Sequence, residues 1–345
     1  MSTCYCKMYK ERNYVLDIAK IVASFCVICI HSTFKGKELV YPLLRIAVPF
    51  FFSVSGFLYE TVEKNQAKYC LAQIKKYIWY IVFCSVLYFV LNMQFMGWKE
   101  DWINIFKWII SPKIILSMLI FNYSPFWEPL WFLSAMLYVW IIEWMFCKLK
   151  IYRSYYCIPI LLLACLILGK YSFMIAQSHE NVLFTRNFLF TGLPFFEVGR
   201  YIRKLEKNSF LTKIPIICHV VCLVFFLVLS FLERFILSSI SDDKGGDLYC
   251  STIFLTIIIL ALIIRFSALN VPKGIIRVVN GLGKAGTLWI YIIHGMVIMI
   301  CRQLNNTVGS NNTGINPFIV FVLSVAISVF IQNVVSMIKS IYLTH

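Results

Sequence analysis

Residues 18–34 read IAKIVASFCVICIHSTF. The stretch is almost wholly apolar, yet it holds Lys20 near one end and His31 near the other. An apolar run of about 18–20 residues is long enough to cross the hydrocarbon of a bilayer. Similar runs recur to the end of the chain, so reading this one as a membrane span decides the fold class. Of the 345 residues, 60% are hydrophobic, 17% aromatic and 14% charged, against roughly half apolar and a quarter charged in a soluble domain. A transmembrane barrel would instead show short alternating segments. No soluble stretch approaches the roughly 100 residues of a typical second domain. The expectation is an all-α polytopic transmembrane helix bundle, with residues 1–345 forming one membrane-embedded domain.

The segment before the first run, MSTCYCKMYKERNY (residues 1–14), is polar and basic. The run behind it lacks a small-residue cleavage site, so it reads as a permanent first span rather than a signal peptide. Ten spans are expected: 14–33, 43–60, 77–96, 127–147, 155–172, 188–203, 214–232, 250–267, 286–303 and 317–339. An even number places both termini on one side. With that side cytoplasmic, lysines and arginines of the connecting segments favour the inside by about two to one, as the positive-inside rule requires. The formal charge of +16 is accounted for in this way and implies no nucleic acid. The long connection 97–126 carries Trp98, Trp102 and Trp108 among lysines. It reads as one or two amphipathic helices in the interface, broken at Pro112.

Cysteine is plentiful, 13 in all, and mostly within spans, where it serves as a small apolar residue. Cys26 and Cys29 form a C-x-x-C without a second pair, and Cys218, His219 and Cys222 are equally isolated. A zinc site needs about four ligands, so no metal is expected. Asn122, Asn305 and Asn311 begin N-x-S/T triplets in outer connections, which matter only in a eukaryotic secretory pathway.

Ionisable groups inside membranes are costly and default to functional hypotheses. Asp17 and Lys20 are three apart, hence helix neighbours able to neutralise each other. Lys20 and His31 are eleven apart, which brings them within about 20° of one azimuth and about 16 Å apart along the axis. One cavity touching that helix face would meet both. Arg45, entering the second span from outside, lies at the level of His31, and Pro49 opens that helix. The SVSGF run around Ser55 and Gly56 lacks the strand–turn–helix context of a nucleophile elbow. A small Ser-Gly step suits close helix packing. His294 lies near the outer end of its span, where it either joins the site or makes an interhelical hydrogen bond. Glu143 and Glu197 lie near cytoplasmic ends and read as structural, with Arg200 at i,i+3 from Glu197. The residues alone give a polytopic membrane protein with a polar site linking Lys20, His31 and Arg45.

Five segments, in order, carry a resemblance: LDIAKIVASFCVICIH, RIAVPFFFSVSGFL, PLWFLSAMLYVW, LPFFEVGRYI and LWIYIIHGMVI. Together they resemble the acyltransferase-3 family of integral membrane acyltransferases, which includes O-acetyltransferases of surface polysaccharides. The family pattern of an arginine, ten residues and a histidine falls on Lys20 and His31. The second-span motif falls on Arg45, Val48, Pro49, Phe50, Phe51, Ser55, Gly56 and Phe57. Lys20 stands where the family has arginine, keeping the charge without the planar fork. Met136 stands where many members carry a glutamate, with Trp131 and Leu133 kept. The hydrolase-like domain fused to some members is not expected here.

The resemblance implies a cytoplasmic acyl-CoA donor, acetyl-CoA in the first instance, with no bound cofactor. The acceptor it implies is a hydroxyl of a surface polysaccharide or lipid-linked glycan at a bacterial plasma membrane. His31 is then the general base, Arg45 the stabiliser of the tetrahedral oxyanion or the holder of an acidic sugar, and Lys20 a point charge for the donor. Asp17, Ser55, Trp131 and His294 are expected around the substrates. The alternative is a transporter or flippase for a small anion or lipid-linked sugar. It lacks the inverted repeat and paired broken spans common in that class.

Overall fold

A computed structural model describes residues 13–62, 65–99, 101–151, 153–172, 182–240, 248–267, 271–307 and 314–343. No strand occurs among them. Helix α1 spans Tyr14–His31 and is fixed at both ends. Asn13 Oδ1 accepts the Leu16 N–H at 2.9 Å, a cap worth about 1 kcal/mol. Ser32 turns extended, and both its N–H and its hydroxyl donate to the Ile28 carbonyl, at 2.9 and 2.8 Å. Lys37 Nζ then caps the last turn, donating to the carbonyls of Ile30 at 2.6 Å and Ser32 at 2.9 Å.

The second expected span is two helices, α2 (Lys37–Leu44) and α3 (Ala47–Tyr59), joined at Arg45 and Ile46. Pro49 supplies the reason. It has no N–H to offer the carbonyl four residues back, which belongs to Arg45, so the ladder breaks there. Helix α4 (Gln66–Phe95) begins well before the expected position 77. Helices α5 (Trp102–Ile109) and α6 (Pro112–Phe121) are bent by 52° at their break, with Pro112 the first residue of α6, as expected.

A single 3-10 turn, Glu128–Leu130, leads into α7 (Trp131–Leu149), and another, Ser154–Cys157, into α8 (Ile158–Leu168). After α9 (Val182–Thr185), a π-turn at Phe188–Gly192 opens α10 (Leu193–Lys207). The short α11 (Phe210–Lys213) is followed by α12 (Ile216–Ile240), α13 (Cys250–Arg265), α14 (Lys273–Ala285), α15 (Thr287–Thr307) and α16 (Pro317–Leu343).

All ten expected spans coincide with helices, but among the described residues seven are long and apolar enough to cross a membrane, or eight with the bent pair α5–α6 as one broken span. The other three fall short for separate reasons. The 3-10 turn with α8, and α13, are apolar but short, and α10 is interrupted by Glu197, Arg200, Arg203 and Lys204. Helix α14 was not anticipated; it packs on α16 and α1.

Charged α10 is nonetheless central, buried along Leu193–Arg200. It crosses α3 at backbone contact. A Cβ added at Gly56 would sit 1.8 Å from the Phe196 carbonyl oxygen, and one at Gly199 1.8 Å from that of Ser53. The Ser-Gly step therefore does what its small size predicts. Aromatic rings fill the neighbouring layers, with Phe52 edge-on to Phe132 at 4.8 Å and Trp140 to Phe196 at 5.0 Å.

Asn122 is fully buried. Its Oδ1 accepts the Phe188 N–H at 2.9 Å, and Asn187 Nδ2 donates to the Ile120 carbonyl at 3.2 Å. A side chain locking α6 to the π-turn cannot carry a glycan. Asn311 lies outside the described residues.

Candidate active site

Three breaks in regular helix converge at one end of the bundle: the end of α1, the α2–α3 joint, and the 3-10 turn before α7. Between them is a cavity of about 230 Å³. His31, Arg45, Trp131, Glu128, Arg186 and Tyr291 are among the residues that line it. His31 belongs to the last turn of α1, whose carbonyls Lys37 holds. Arg45 stands at the joint that Pro49 creates. Its guanidinium lies over the Tyr41 ring, 4.6 Å from the centroid, and donates to the Tyr41 hydroxyl. Tyr41 itself lines the cavity.

Trp131, the first residue of α7, packs beside Phe52 with ring centres 6.2 Å apart. Arg186 follows α9 and makes an ion pair with Glu128. That pair sits at the rim, since the Glu128 side chain is 64% exposed. A pair so exposed is weakly held, worth at most about 1 kcal/mol.

His294 stands behind His31 on α15, with ring centres 5.6 Å apart and planes inclined at 37°. His31 is half-buried at the cavity wall, whereas His294 is buried. The segment around His294 is clamped on several sides. Tyr291 donates its hydroxyl to the Pro129 carbonyl. Tyr88 donates to the Ile292 carbonyl at 2.7 Å. A Cβ at Gly295 would collide with the Tyr88 hydroxyl and Trp127 Nε1, at 2.3 and 2.6 Å. His294 Nδ1 faces the carbonyl of Tyr291.

Of the residues singled out in the sequence, His31, Arg45 and Trp131 share this cavity, and His294 adjoins it. Lys20 and Asp17 do not line it. They bond to each other, Nζ to Oδ1 at 2.5 Å, toward the opposite end of α1. Ser55 also stays outside, donating to the Phe51 carbonyl of its own helix at 2.8 Å. Met136 is fully buried within α7. Arg186, Glu128 and Tyr291 are not among the site residues read from the sequence. Tyr291 carried a usable signal, standing one turn before His294 on the same helix face. Arg186 carried none, because the turn that aims it becomes visible only in three dimensions.

A second polar cluster lies at the far end of α3 and is built on Arg200. Its Nη1 donates to Glu197 at 2.8 Å, Glu143 at 3.0 Å and Ser154 at 3.1 Å, and its Nε to Glu60 at 3.1 Å. Arg200 meets Glu197 as the i,i+3 spacing foretells, and Glu143, Ser154 and Glu60 are three partners beyond it. His219 is buried in α12, its Nδ1 3.3 Å from the Pro215 carbonyl.

Residues 13–333 match a family model described as an acyltransferase domain. No curated protein and no solved structure matches the chain. The match covers all five segments of the resemblance, the cavity and the histidine behind it. The apolar helices make the chain an integral membrane protein, and it belongs to the acyltransferase-3 family of membrane acyltransferases.

Proposed function

We propose that the protein transfers an acyl group, acetyl in the first instance, from cytoplasmic acyl-CoA to a hydroxyl of a surface polysaccharide or lipid-linked glycan, at the plasma membrane of a bacterium. The observation that carries this reading is the meeting of His31, Arg45 and Trp131 on one cavity. With the N-terminus cytoplasmic, as the basic segment before α1 favours, the end of α1 and the cavity there lie toward the outer leaflet.

The acceptor hydroxyl enters the cavity beside Trp131, whose ring offers a face for a sugar. His31 removes the hydroxyl proton as the oxygen attacks the thioester carbonyl. The carbonyl electrons move onto oxygen, and the Arg45 guanidinium stabilises that oxyanion. The intermediate collapses, the C–S bond breaks, and the CoA sulfur takes the proton back from His31. The products are the acyl ester and CoA thiol, and His31 is regenerated. The donor's long pantetheine arm has to cross most of the bundle, and Lys20, held by Asp17 toward the other end of α1, steadies a donor phosphate as a point charge.

The test uses membrane vesicles given radiolabelled acetyl-CoA on the cytoplasmic face, with label followed onto glycan on the opposite face. Wild type is compared with His31→Ala. Label transfer lost by about a hundredfold or more in the variant, at equal protein level, is the expected result. Equal transfer by both would remove His31 from the chemistry, and transfer by neither would discard acetyl-CoA as donor or the glycan as acceptor.

A further inference from the structure

We propose that His294 is a positioning residue for His31, its Nε2 accepting the N–H of whichever His31 nitrogen faces away from the cavity. This inference rests on the reading of His31 as general base. The tautomer of His294 follows from its surroundings. Nδ1 faces the Tyr291 carbonyl, and a carbonyl only accepts, so Nδ1 carries the proton and Nε2 the lone pair. That Nε2 is buried and has no hydrogen-bond partner among the described residues. A buried acceptor left without a donor is costly, and a histidine retained only for packing has no use for one.

The nearest imidazole is His31, with a centre-to-centre distance of 5.6 Å. Two imidazoles joined nitrogen to nitrogen at about 3 Å have centres roughly 5 Å apart, so the two rings are spaced closely enough for such a bond to form once a rotation turns the nitrogens toward each other. Catalytic hydrogen bonds of this kind tighten when the substrate is bound.

The chemistry supplies the reason for such a bond. A base that takes a proton on its cavity-facing nitrogen becomes an imidazolium with a second N–H. Serine hydrolases place a carboxylate there to fix the tautomer and stabilise the cation. Among the described cavity residues the carboxylate is Glu128, and it is engaged by Arg186 at the rim. His294 stands in the carboxylate's place as a neutral acceptor. It keeps its own Nδ1 proton on the Tyr291 carbonyl throughout, and no proton passes through it. The clamp of Tyr88, Trp127 and Pro129 on this part of α15 holds the acceptor still.

The experiment reads His31 directly. The full chain in lipid nanodiscs is treated with diethyl pyrocarbonate, which acylates the imidazole lone pair, and carbethoxylation of His31 is followed by peptide mass spectrometry. Wild type is compared with H294F, which keeps a ring and loses the acceptor, and with H294Q, which restores one. The expected result is a fall in the His31 rate of about tenfold in H294F, with recovery to within about threefold in H294Q. An unchanged rate in H294F, or an equal fall in both variants, would overturn the proposal, the second by showing that the residue acts through packing. Should H294F not accumulate, H294L offers the same acceptor-free position.

Acetyl transfer in vesicles forms a second arm, in which kcat is expected to fall with KM unchanged. If wild type carries no acetyl while the footprint behaves as expected, the acetyl-CoA reading fails and the histidine pair stands. If wild type transfers acetyl and the footprint is indifferent to residue 294, the pair fails and the acyltransfer reading stands.

Discussion

Two polar clusters sit at opposite ends of α3, about 22 Å apart by helix rise from Arg45 to Glu60. The Arg200 cluster is turned in on itself. One guanidinium gathers Glu60, Glu143, Glu197 and Ser154 from four elements, and the Tyr59 ring lies 5.4 Å beneath it. The His31 cluster is turned toward a space. Its two arginines and its histidine stand around a cavity, the Arg186–Glu128 ion pair is at an exposed rim, and the acceptor nitrogen of His294 has no partner among the described residues. Both clusters place charge in an apolar bundle, but the first gathers three carboxylates from different elements around one guanidinium, whereas the second lines a cavity. Charge within a span is therefore an ambiguous signal, and the two clusters differ in whether the charged groups close on one another or line a cavity.

Substitution at Arg200 gives the largest expected effect. Arg200→Met leaves Glu143 and Glu197 buried without their counter-charge, a change that costs about 3–5 kcal/mol when one partner of a buried pair is removed. The variant is expected to unfold in detergent many degrees below wild type, whereas His31→Ala melts within a degree or two of it. An Arg200→Met protein that keeps its melting temperature and loses only acyl transfer would break the comparison and make the Arg200 cluster part of the reaction.

Much of this was legible in the sequence because it depends on local pattern. Each apolar run became a helix, and the shared level of His31 and Arg45 followed from the opposite directions of α1 and the second span. What failed to follow is non-local. Lys20 shares a helix face with His31, yet it does not line the cavity at the end of α1 and bonds to Asp17 instead. The run 188–203 is expected as a span, but its charges keep α10 from qualifying as one, and α10 becomes central because Glu60 and Glu143 come from other elements to meet Arg200. Asn122 begins a triplet in an outer connection that matters only in a eukaryotic secretory pathway, and it is a buried latch to a π-turn whose sequence, FLFTG (Phe188–Gly192), gives no hint of it.

The crossing of α3 and α10 is expected to couple the two clusters, and Gly56→Ala tests it. The new Cβ meets the Phe196 carbonyl oxygen, a backbone atom that cannot rotate aside. The helices must separate, at a cost of about 1–3 kcal/mol. Because the crossing lies between the clusters, G56A should lower both the melting temperature and the rate of acyl transfer. Loss of one without the other would show that the two ends of α3 are held independently. Gly199→Ala meets the Ser53 carbonyl in the same way and should give the same pair of effects.

The smallest effect sharpens the comparison most, because it acts on the open cluster alone. Lys37 donates to two carbonyls at the end of α1 and touches neither the Arg200 cluster nor the α3–α10 crossing. A cation at a helix C-terminus contributes about 0.3–1 kcal/mol, so Lys37→Gln should shift the melting temperature only slightly. Its effect on chemistry should be larger than its effect on stability. The carbonyls it holds belong to Ile30 and Ser32, the residues on either side of His31, and a last turn free to fray lets the imidazole wander from the cavity and from His294. The expected outcome is a several-fold fall in kcat with little change in melting temperature, the reverse of Arg200→Met. Equal, small losses in both would mean that the bundle around α1, and not its cap, holds His31 in place.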